Sequence, residues 1–553
     1  MFFLSTSCFL LNSQKAFSSP LMSLNAKASS LGNAVTAESV GTASTSFNPA
    51  TLTLLKTGKT GRIREYKLLA TQFPSYKIEA EKPATKDDPF LNQNVFINDC
   101  VGSCLFGEED PRDTPWEPVI DRLAVYIPKY GEIDLDPSVA DFILLPLMGS
   151  AYRPAPHSPF IFTSSLVLPM GGVHFKEEPW NIKPTQVSFG IIGFAPSMAY
   201  RISPHWSIGG GVQLSMAGAK LGLDYRLPSL FPSLGRVLFD DLLCPQVEPA
   251  FESSCASDRP EFKPLDSVLH VYYEGEGKIE PRFNIGLLWE PTPWFRWGIA
   301  YKNKITHKLT GDGGILLSEG LHALFENLGD DVPPISQLLS QGEDIPLNVS
   351  GKVEAAFPMP AHLDTGISLQ LTSRIRLNID YKWKENSVFN DAYIAITEVD
   401  HPGSENIGAV LFGIYKGNLE LGLPQVLSVE NAKLVGIRFK DSSNFSYGLT
   451  YRHNNRLTLR AGFENKSTPI DTDQPVGVLG DISFRGLGFN YQWDANSELD
   501  VTYVQFKMEE TAAAGESFLT SASLLQPIAF WAGQNLHSRV SAHLIQVGWT
   551  KRL

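Results

Sequence analysis

The chain has 553 residues, and 46 basic against 59 acidic side chains give a formal net charge of −13, which excludes a nucleic-acid binder working through a broad cationic face. Charged residues at 19% and aromatics at 11%, with 45 glycines and 38 prolines, fit many strands joined by turns, and 43% hydrophobic content excludes a disordered chain. No run reaches about 18 uninterrupted apolar residues, so a transmembrane helix is excluded, whereas a membrane β-barrel hides its signal in alternation and is not.

In chain order, Met1 to Leu11 is a short apolar stretch followed by Lys15 and Ala16-Phe17-Ser18. The small residues stand at the spacing a signal peptidase reads, so residues 1–18 read as an atypical leader without a basic start. Cys8 lies within it, and Ser5-Thr6-Ser7 is a poor lipid-attachment signal. The other four cysteines fall in two close pairs, Cys100/Cys104 and Cys244/Cys255. Two local disulfides in an oxidising compartment fit this spacing, with four separate thiols as the alternative. Neither pair is CxxC, which argues against zinc.

Period-2 alternation then dominates. A first strand covers about Tyr66 to Glu79, and a hairpin covers about Val139 to Met170, turning near Pro154 to Ser158. Met198, Tyr200 and Ile202 turn at Ser203-Pro204-His205 into Trp206, Ile208, Val212 and Leu214. Phe283 to Trp289 turns at Glu290-Pro291-Thr292-Pro293 into Phe295 to Tyr301, and Thr365 to Leu371 turns into Ile375 to Trp383. Phe445 to Tyr451 turns at His453 to Arg456 into Leu457 to Phe463, and Leu487 to Trp493 turns into Leu499 to Tyr503. A last strand runs from about Ala542 to Leu553. The total is about fourteen strands, the even count of a closed antiparallel barrel. The intervening connections, about 81–138, 172–185, 216–280, 305–360, 388–443, 466–481 and 508–541, are long. Short turns at one end and long loops at the other are the asymmetry of an outer-membrane barrel.

The face opposite the apolar one carries Arg376, Asp380, Arg460 and Asp500 in mid-strand, while Trp206, Trp289, Trp297, Trp383, Trp493 and Trp549 stand near strand ends of the apolar face. A lipid-facing band with aromatic girdles reads this way, and a soluble sandwich does not. Two long loops carry helical spacing: Leu234 and Leu238 within Ser229 to Leu243, and Leu321 and Phe325 within Ser318 to Leu328. These four residues either pack together as a lid or form a greasy groove that first catches an apolar ligand. There is no GxSxG, HExxH or P-loop, so no catalytic, metal or cofactor set is expected.

Leu31-Gly32-Asn33-Ala34, Thr42-Ala43-Ser44-Thr45 and Phe47-Asn48-Pro49-Ala50 now gain meaning. Together with Pro196 to Gly211, Gly286 to Pro293, Ala300 to Lys304 and Leu457 to Phe463 followed by Ser467-Thr468-Pro469, they resemble the long-chain fatty acid transporter family, the FadL/TodX-like outer-membrane proteins. The resemblance covers nearly the whole mature chain. It implies an all-β transmembrane barrel of about fourteen strands, residues 63–553, with an N-terminal plug at 19–62 inside the lumen and long outer loops carrying short helices. It implies location in the Gram-negative outer membrane, among lipid and lipopolysaccharide, as a monomer without a nucleic-acid partner. It implies passive uptake of a hydrophobic small molecule with lateral release, a long-chain fatty acid first, with hydrocarbons or aromatic compounds as the alternative. A general hydrophilic porin is the alternative of another class.

On this reading Asn48, Pro49 and Ala50 belong to a hatch touching a kinked third strand at about Ser158 to Gly172, where Pro169, Gly171 and Gly172 weaken pairing. A fatty-acid carboxylate in a low-dielectric lumen needs a cation. Arg296, Lys302, Arg376, Lys382 and Arg460 are the inward candidates, with Lys220 at the base of the third long loop. Each could instead pair with lumenal acids such as Asp380, Glu464 and Asp500. Two departures from the family are a first loop that is expanded and a final residue, Leu553, that is not aromatic.

Overall fold

The computed structural model describes residues 25–72, 75–89, 120–135, 142–155, 157–167, 170–175, 183–226, 255, 267–331, 347–399, 438–470, 480–517, 520, 531 and 533–553. The expected leader, Cys100, Cys104, Cys244, Leu234, Leu238 and Pro169 lie outside the described residues.

The chain forms a closed antiparallel barrel of 14 staves. β1 (Arg62–Gln72) and β2 (Ser75–Glu81) make the first stave; β3 (Ile120–Ile127) and β4 (Gly131–Leu135) form a separate hairpin. β5 (Phe142–Tyr152) is the second stave, and β6 (Phe160–Val167) with β7 (Met170–Phe175) the third. β8 (Lys183–Arg201) and β9 (Trp206–Arg226) follow, then β10 (Ser267–Gly277) with β11 (Glu280–Thr292) as the sixth stave. β12 (Phe295–Lys302) with β13 (Ile305–Leu317), β14 (Asn348–Met359) with β15 (His362–Gln370), and β16 (Ile375–Lys384) with β17 (Tyr393–Val399) complete the next three. β18 (Ser442–Arg452), β19 (Leu457–Lys466), β20 (Asp481–Gln492), β21 (Ser497–Ala512) and β22 (Asn535–Arg552) close the ring. Tyr66 pairs with Trp549 and Lys77 with Arg539, sealing the first stave to the last. Such closure lets strands span lipid, because no seam edge is left without partners.

The alternation places apolar side chains outside and polar ones inside. Phe283, Ile285, Phe445, Tyr447, Leu449 and Ile545 are exposed, whereas Arg282, Asn284, Asn444, Ser446 and Asp380 are buried. Trp206 stacks on Trp289 at 5.7 Å and Tyr66 on Trp549 at 5.9 Å at the short-turn end, as interfacial aromatics do.

The staves run further toward the long-loop end than the apolar pattern predicts. β8 begins at Lys183, β9 reaches Arg226, and β10, β13, β14 and the long-loop ends of β21 and β22 occupy segments expected to be loop. The reason is solvent. Beyond the lipid band the outer face meets water and carries Lys308, Thr310 and Asp312 on β13 and Lys352 and Glu354 on β14, so the alternation is that of an ordinary half-buried strand. The expanded first loop supplies the β3–β4 hairpin. β3 pairs with β7, and Tyr126 lies on Gly218, where a side chain would overlap the ring. Lys129 bonds Glu276 at 2.8 Å and Glu132 bonds Lys220 at 3.5 Å, so the hairpin clasps the outer surface of staves five and six. A helix, α1 (Glu319–Asp331), stands where the Leu321/Phe325 pattern predicts one; Leu321 is buried.

Inside, the N-terminal segment lies so close to the wall that only glycine fits at several inward positions. Gly209 pairs with Gly286, Gly298 with Gly366, Gly448 with Gly462, and Gly462 with Gly486. A Cβ at Gly462 would overlap Leu31 and Gly32, at Gly486 Ser29, at Gly298 Thr36 and at Gly209 Pro49. Gly32, at φ +59°, turns the segment back against Phe463.

Gly462→Leu is expected to leave the barrel folded, with unchanged heat-modifiable gel mobility, and to unseat the N-terminal segment at a cost of about 1–3 kcal/mol. Planar-bilayer recording reads the result as steady ion current where the wild-type protein passes almost none.

Candidate functional site

The N-terminal segment is built from caps and turns. Asn25 accepts the Ala28 amide at 2.9 Å and starts a short helix, α2 (Ala26–Ser30). Two 3-10 turns follow, Gly41–Ser46 and Pro49–Leu54. Asn48 caps the second by accepting the Ala50 amide at 3.0 Å, and its Nδ2 donates to the carbonyls of Thr36 at 2.7 Å and Leu287 at 3.0 Å. The Asn48-Pro49-Ala50 motif therefore rests on Gly286 of β11 and Gly209 of β9. It does not rest on the third stave as expected. That stave is met by Thr45, whose hydroxyl lies 2.9 Å from Ser165, and by Leu52, packed with Ile161.

Wall carboxylates hold the segment. Asp380 accepts the Val35 amide at 2.7 Å and the Thr36 amide and hydroxyl at 2.8 and 2.7 Å. Glu65 accepts the Thr42 amide at 3.0 Å and its hydroxyl at 2.6 Å, with Lys67 at 3.3 Å. Glu464 accepts from Asn33 at 2.8 Å, Asn444 at 2.9 Å and Lys382 at 3.0 Å. The segment returns one carboxylate: Glu38 meets Lys27 at 2.8 Å, Arg376 at 2.9 Å and Arg296 at 3.4 Å. Burial pushes the Glu38 carboxyl up, but these three cations overcome it and hold it at about 2.

The predicted head-group cations are thus mostly engaged. Arg296 also bonds Glu290 at 2.9 Å, Arg376 bonds Gln370 at 2.9 Å, and Arg460 pairs with Asp500. Lys302 donates to the Ser46 carbonyl at 2.8 Å. Lys220 is a correction: it sits on the outer face beneath the hairpin, between Glu132 and Glu274, because β9 continues as wall where a loop was expected.

Above the segment lies a polar belt of which the sequence reading named only Lys302 and Lys382. Arg282 donates to the carbonyls of Asn303 at 2.9 Å and Pro360 at 2.5 Å. His307 and His362 are buried, and among the described residues neither ring nitrogen of His307, nor Nε2 of His362, nor Oδ1 of Asp364 has a hydrogen-bond partner. Inward residues of β12, β15 and β16 add Lys302, Asp364, Lys382 and Lys384 to this belt. Further toward the long-loop end Phe189, Ile191, Leu221 and Leu309 are buried, and Phe357 and Met359 stand beside the belt, paired with His307 and Ile305. Phe189 and Phe357 meet across the lumen at 5.8 Å. Extending the period-2 pattern inward from Phe283 to Arg282 is the signal that could have found the belt.

The wall is interrupted beside β5. β5 pairs with β6 only over Gly149–Tyr152, while its whole length pairs with β1 on the other side. Beyond Ser165 the third stave turns to other partners: Leu166 and Val167 pair only with β8, and β7 lies between β8 and β3. Gly171 and Gly172 pair with Phe189 and Ser188 of β8. The edge of β5 from Phe142 to Met148 has no partner toward the third stave among the described residues.

The family described as "Outer membrane protein transport protein (OMPP1/FadL/TodX)" matches residues 164–551. No curated protein matches the chain. Among solved structures, a Pseudomonas aeruginosa FadL homologue is similar with a TM-score of 0.58 at 15% identity, covering 96% of this chain and 98% of that one. The Pseudomonas putida toluene transporter TodX gives 0.54 at 15% identity, with 96% and 98% covered. The Ralstonia pickettii toluene transporter TbuX gives 0.51 at 18%, again with 96% and 98% covered. At these identities the likeness is one of fold.

Asp380→Ala leaves the Val35 and Thr36 amides buried without an acceptor, so the seated segment is expected to lose about 2–4 kcal/mol, read as release at lower denaturant with the barrel still folded. Glu38 gives a pH dependence. Its carboxyl sits below its ordinary 4.5, so its contribution is complete above pH 4.5 and is lost as pH falls toward about 2. Protease access to the segment should rise over that window, and Glu38→Gln should flatten the rise.

Proposed function

Because the chain belongs to the outer membrane protein transport protein family (OMPP1/FadL/TodX), whose members are outer-membrane channels for hydrophobic compounds and not enzymes, we propose that its cargo is a long-chain fatty acid, taken up passively. The observation that carries this reading is the amphipathic interior. An apolar chamber stands over a belt holding Arg282, Lys302, His307 and His362, the arrangement an acyl chain with a carboxylate at its lower end would need. An uncharged hydrocarbon would need only the chamber. The toluene transporters named above keep that alternative open, but they share only the fold with this chain.

The N-terminal segment acts as the hatch, with Asn48, Pro49 and Ala50 fixing its turn. It closes the direct route through the barrel, which speaks against a general porin. The break between the second and third staves, beside Pro169, Gly171 and Gly172, is the proposed lateral exit. Leu321 and Phe325, with Leu234 and Leu238, form the proposed first contact for the ligand. The protein works as a single barrel in this reading. In this reading the disulfides Cys100–Cys104 and Cys244–Cys255 brace its outer loops.

Competition between a long-chain acid and its matching alkane tests the cargo. The acid is expected to bind more tightly, and Lys302→Gln with His362→Gln to weaken it by roughly ten- to hundredfold while leaving the alkane unchanged, the loss of one or two charge-assisted bonds. Equal binding of acid and alkane, untouched by the substitutions, would replace the fatty-acid reading with the hydrocarbon one. Mass spectrometry of non-reduced peptides tests the disulfides, each expected to add about 2–3 kcal/mol. Free thiols at all four positions would refute them.

A further inference from the structure

We propose that the outer face of staves twelve to fourteen carries a binding site for the phosphate groups of an outer-leaflet glycolipid, centred on Arg485 and Lys507. The inference rests on the barrel's place in the outer membrane and not on the identity of the cargo.

Register defines the site. On these staves the lipid-facing band ends at one row, Leu487 of β20 beside Tyr503 of β21 beside Ile545 of β22. All three are exposed apolar residues, Leu487 at 61%. Two residues further toward the long loops the outward row is Arg485, Gln505 and His543, and the next is Ser483, Lys507 and Ser541. Each step along a strand pair is about 7 Å, so Arg485 and Lys507 are diagonal neighbours within reach of a single phosphate group. They stand where hydrocarbon gives way to headgroups. Tyr503 marks that boundary, its ring stacked on His543 at 5.8 Å.

The charges at this level are uncommitted. Arg485 and Lys507 are exposed, and neither has a hydrogen-bond or ion-pair partner among the described residues. One row higher, Arg539 is already engaged by Glu509 at 3.2 Å and Glu79 at 3.8 Å. On the opposite side of the barrel the corresponding outer face pairs its own charges: Lys308 with Glu354 at 3.6 Å, Lys352 with Asp312, and Lys220 with Glu132 at 3.5 Å. A planar guanidinium and an ammonium side by side, flanked by the polar side chains of Gln505, Ser483 and Ser541, match an anion of several oxygens. The partner is a lipid because Leu487, Tyr503 and Ile545 directly below would hold its acyl chains.

The test uses the full-length barrel in uncharged detergent, titrated with bisphosphorylated lipid A, monophosphorylated lipid A and inorganic phosphate, with bound species counted by native mass spectrometry. The bisphosphorylated lipid is expected to bind at least roughly tenfold more tightly than the monophosphorylated one, and Arg485→Gln with Lys507→Gln to remove that preference. Lys308→Gln, on the self-paired side, should change nothing. Heat-modifiable mobility establishes that each variant is folded, and Arg485→Lys with Lys507→Arg should retain binding. Equal affinity of the Gln double variant and the wild-type protein, or an equal loss from Lys308→Gln, would overturn the proposal. Inorganic phosphate binding at the same concentrations as the lipid would replace it with a free-anion site.

Discussion

Three carboxylates that point into the barrel, Glu65, Asp380 and Glu464, set the condition the rest of the interior meets. A barrel of 14 staves is too wide to be filled by its own side chains. A carboxylate inside it, cut off from water, needs donors aimed at it. The N-terminal segment supplies them: two amides and a hydroxyl for Asp380, an amide and a hydroxyl for Glu65, and the Asn33 amide group for Glu464. The glycines in register on β9, β11, β12 and β18 to β20 follow from the same demand, because backbone can reach wall acids only where the wall carries no side chains.

This arrangement orders the rest of the lumen. With the segment seated, Arg296 and Arg376 turn to Glu38, and Arg460 to Asp500, so the lower interior is neutralised and solid. Among the described residues, buried side-chain atoms without a hydrogen-bond partner include both ring nitrogens of His307, Nε2 of His362 and Oδ1 of Asp364, close to apolar residues of β13 and β14. The interruption of the wall along β5 lies between the second and third staves. A hydrophobic molecule that entered from the long-loop side would meet a closed floor and an open flank.

Much of this fold was legible in the sequence wherever lipid touches the wall, because lipid imposes a one-sided apolar face. Phe445 to Phe463 and Leu487 to Tyr503 announce their hairpins, and Trp493 announces an interface. Legibility fails where water bathes the outer face. Lys308, Thr310 and Asp312 look like loop although they are strand, and the β3–β4 hairpin has no lipid-facing side to betray it. The candidate cations were recognised as lumenal from alternation, which holds for Arg296, Lys302, Arg376, Lys382 and Arg460. Asp500 and Glu464, named as possible partners, do pair with Arg460 and Lys382, whereas Glu38, the partner of Arg296 and Arg376, was not recoverable, because it is brought to them only by closure of the ring. Lys220 was misplaced for the same reason as the strand ends.

Two of the three donors that fasten the segment to Asp380, and one of the two that fasten it to Glu65, are main-chain amides, at Val35, Thr36 and Thr42. An amide is the same whatever residue carries it, proline apart. At these amide contacts the recognition is written in the wall and not in the segment's side chains, so Val35 can drift in identity without losing its bond, while Asp380 or Gly462 cannot. Divergence between relatives should concentrate in the short N-terminal stretch at such positions and spare the inward acids and glycines facing it. Between two such barrels, the likeness of the interior is to be sought first in the strands that surround the segment.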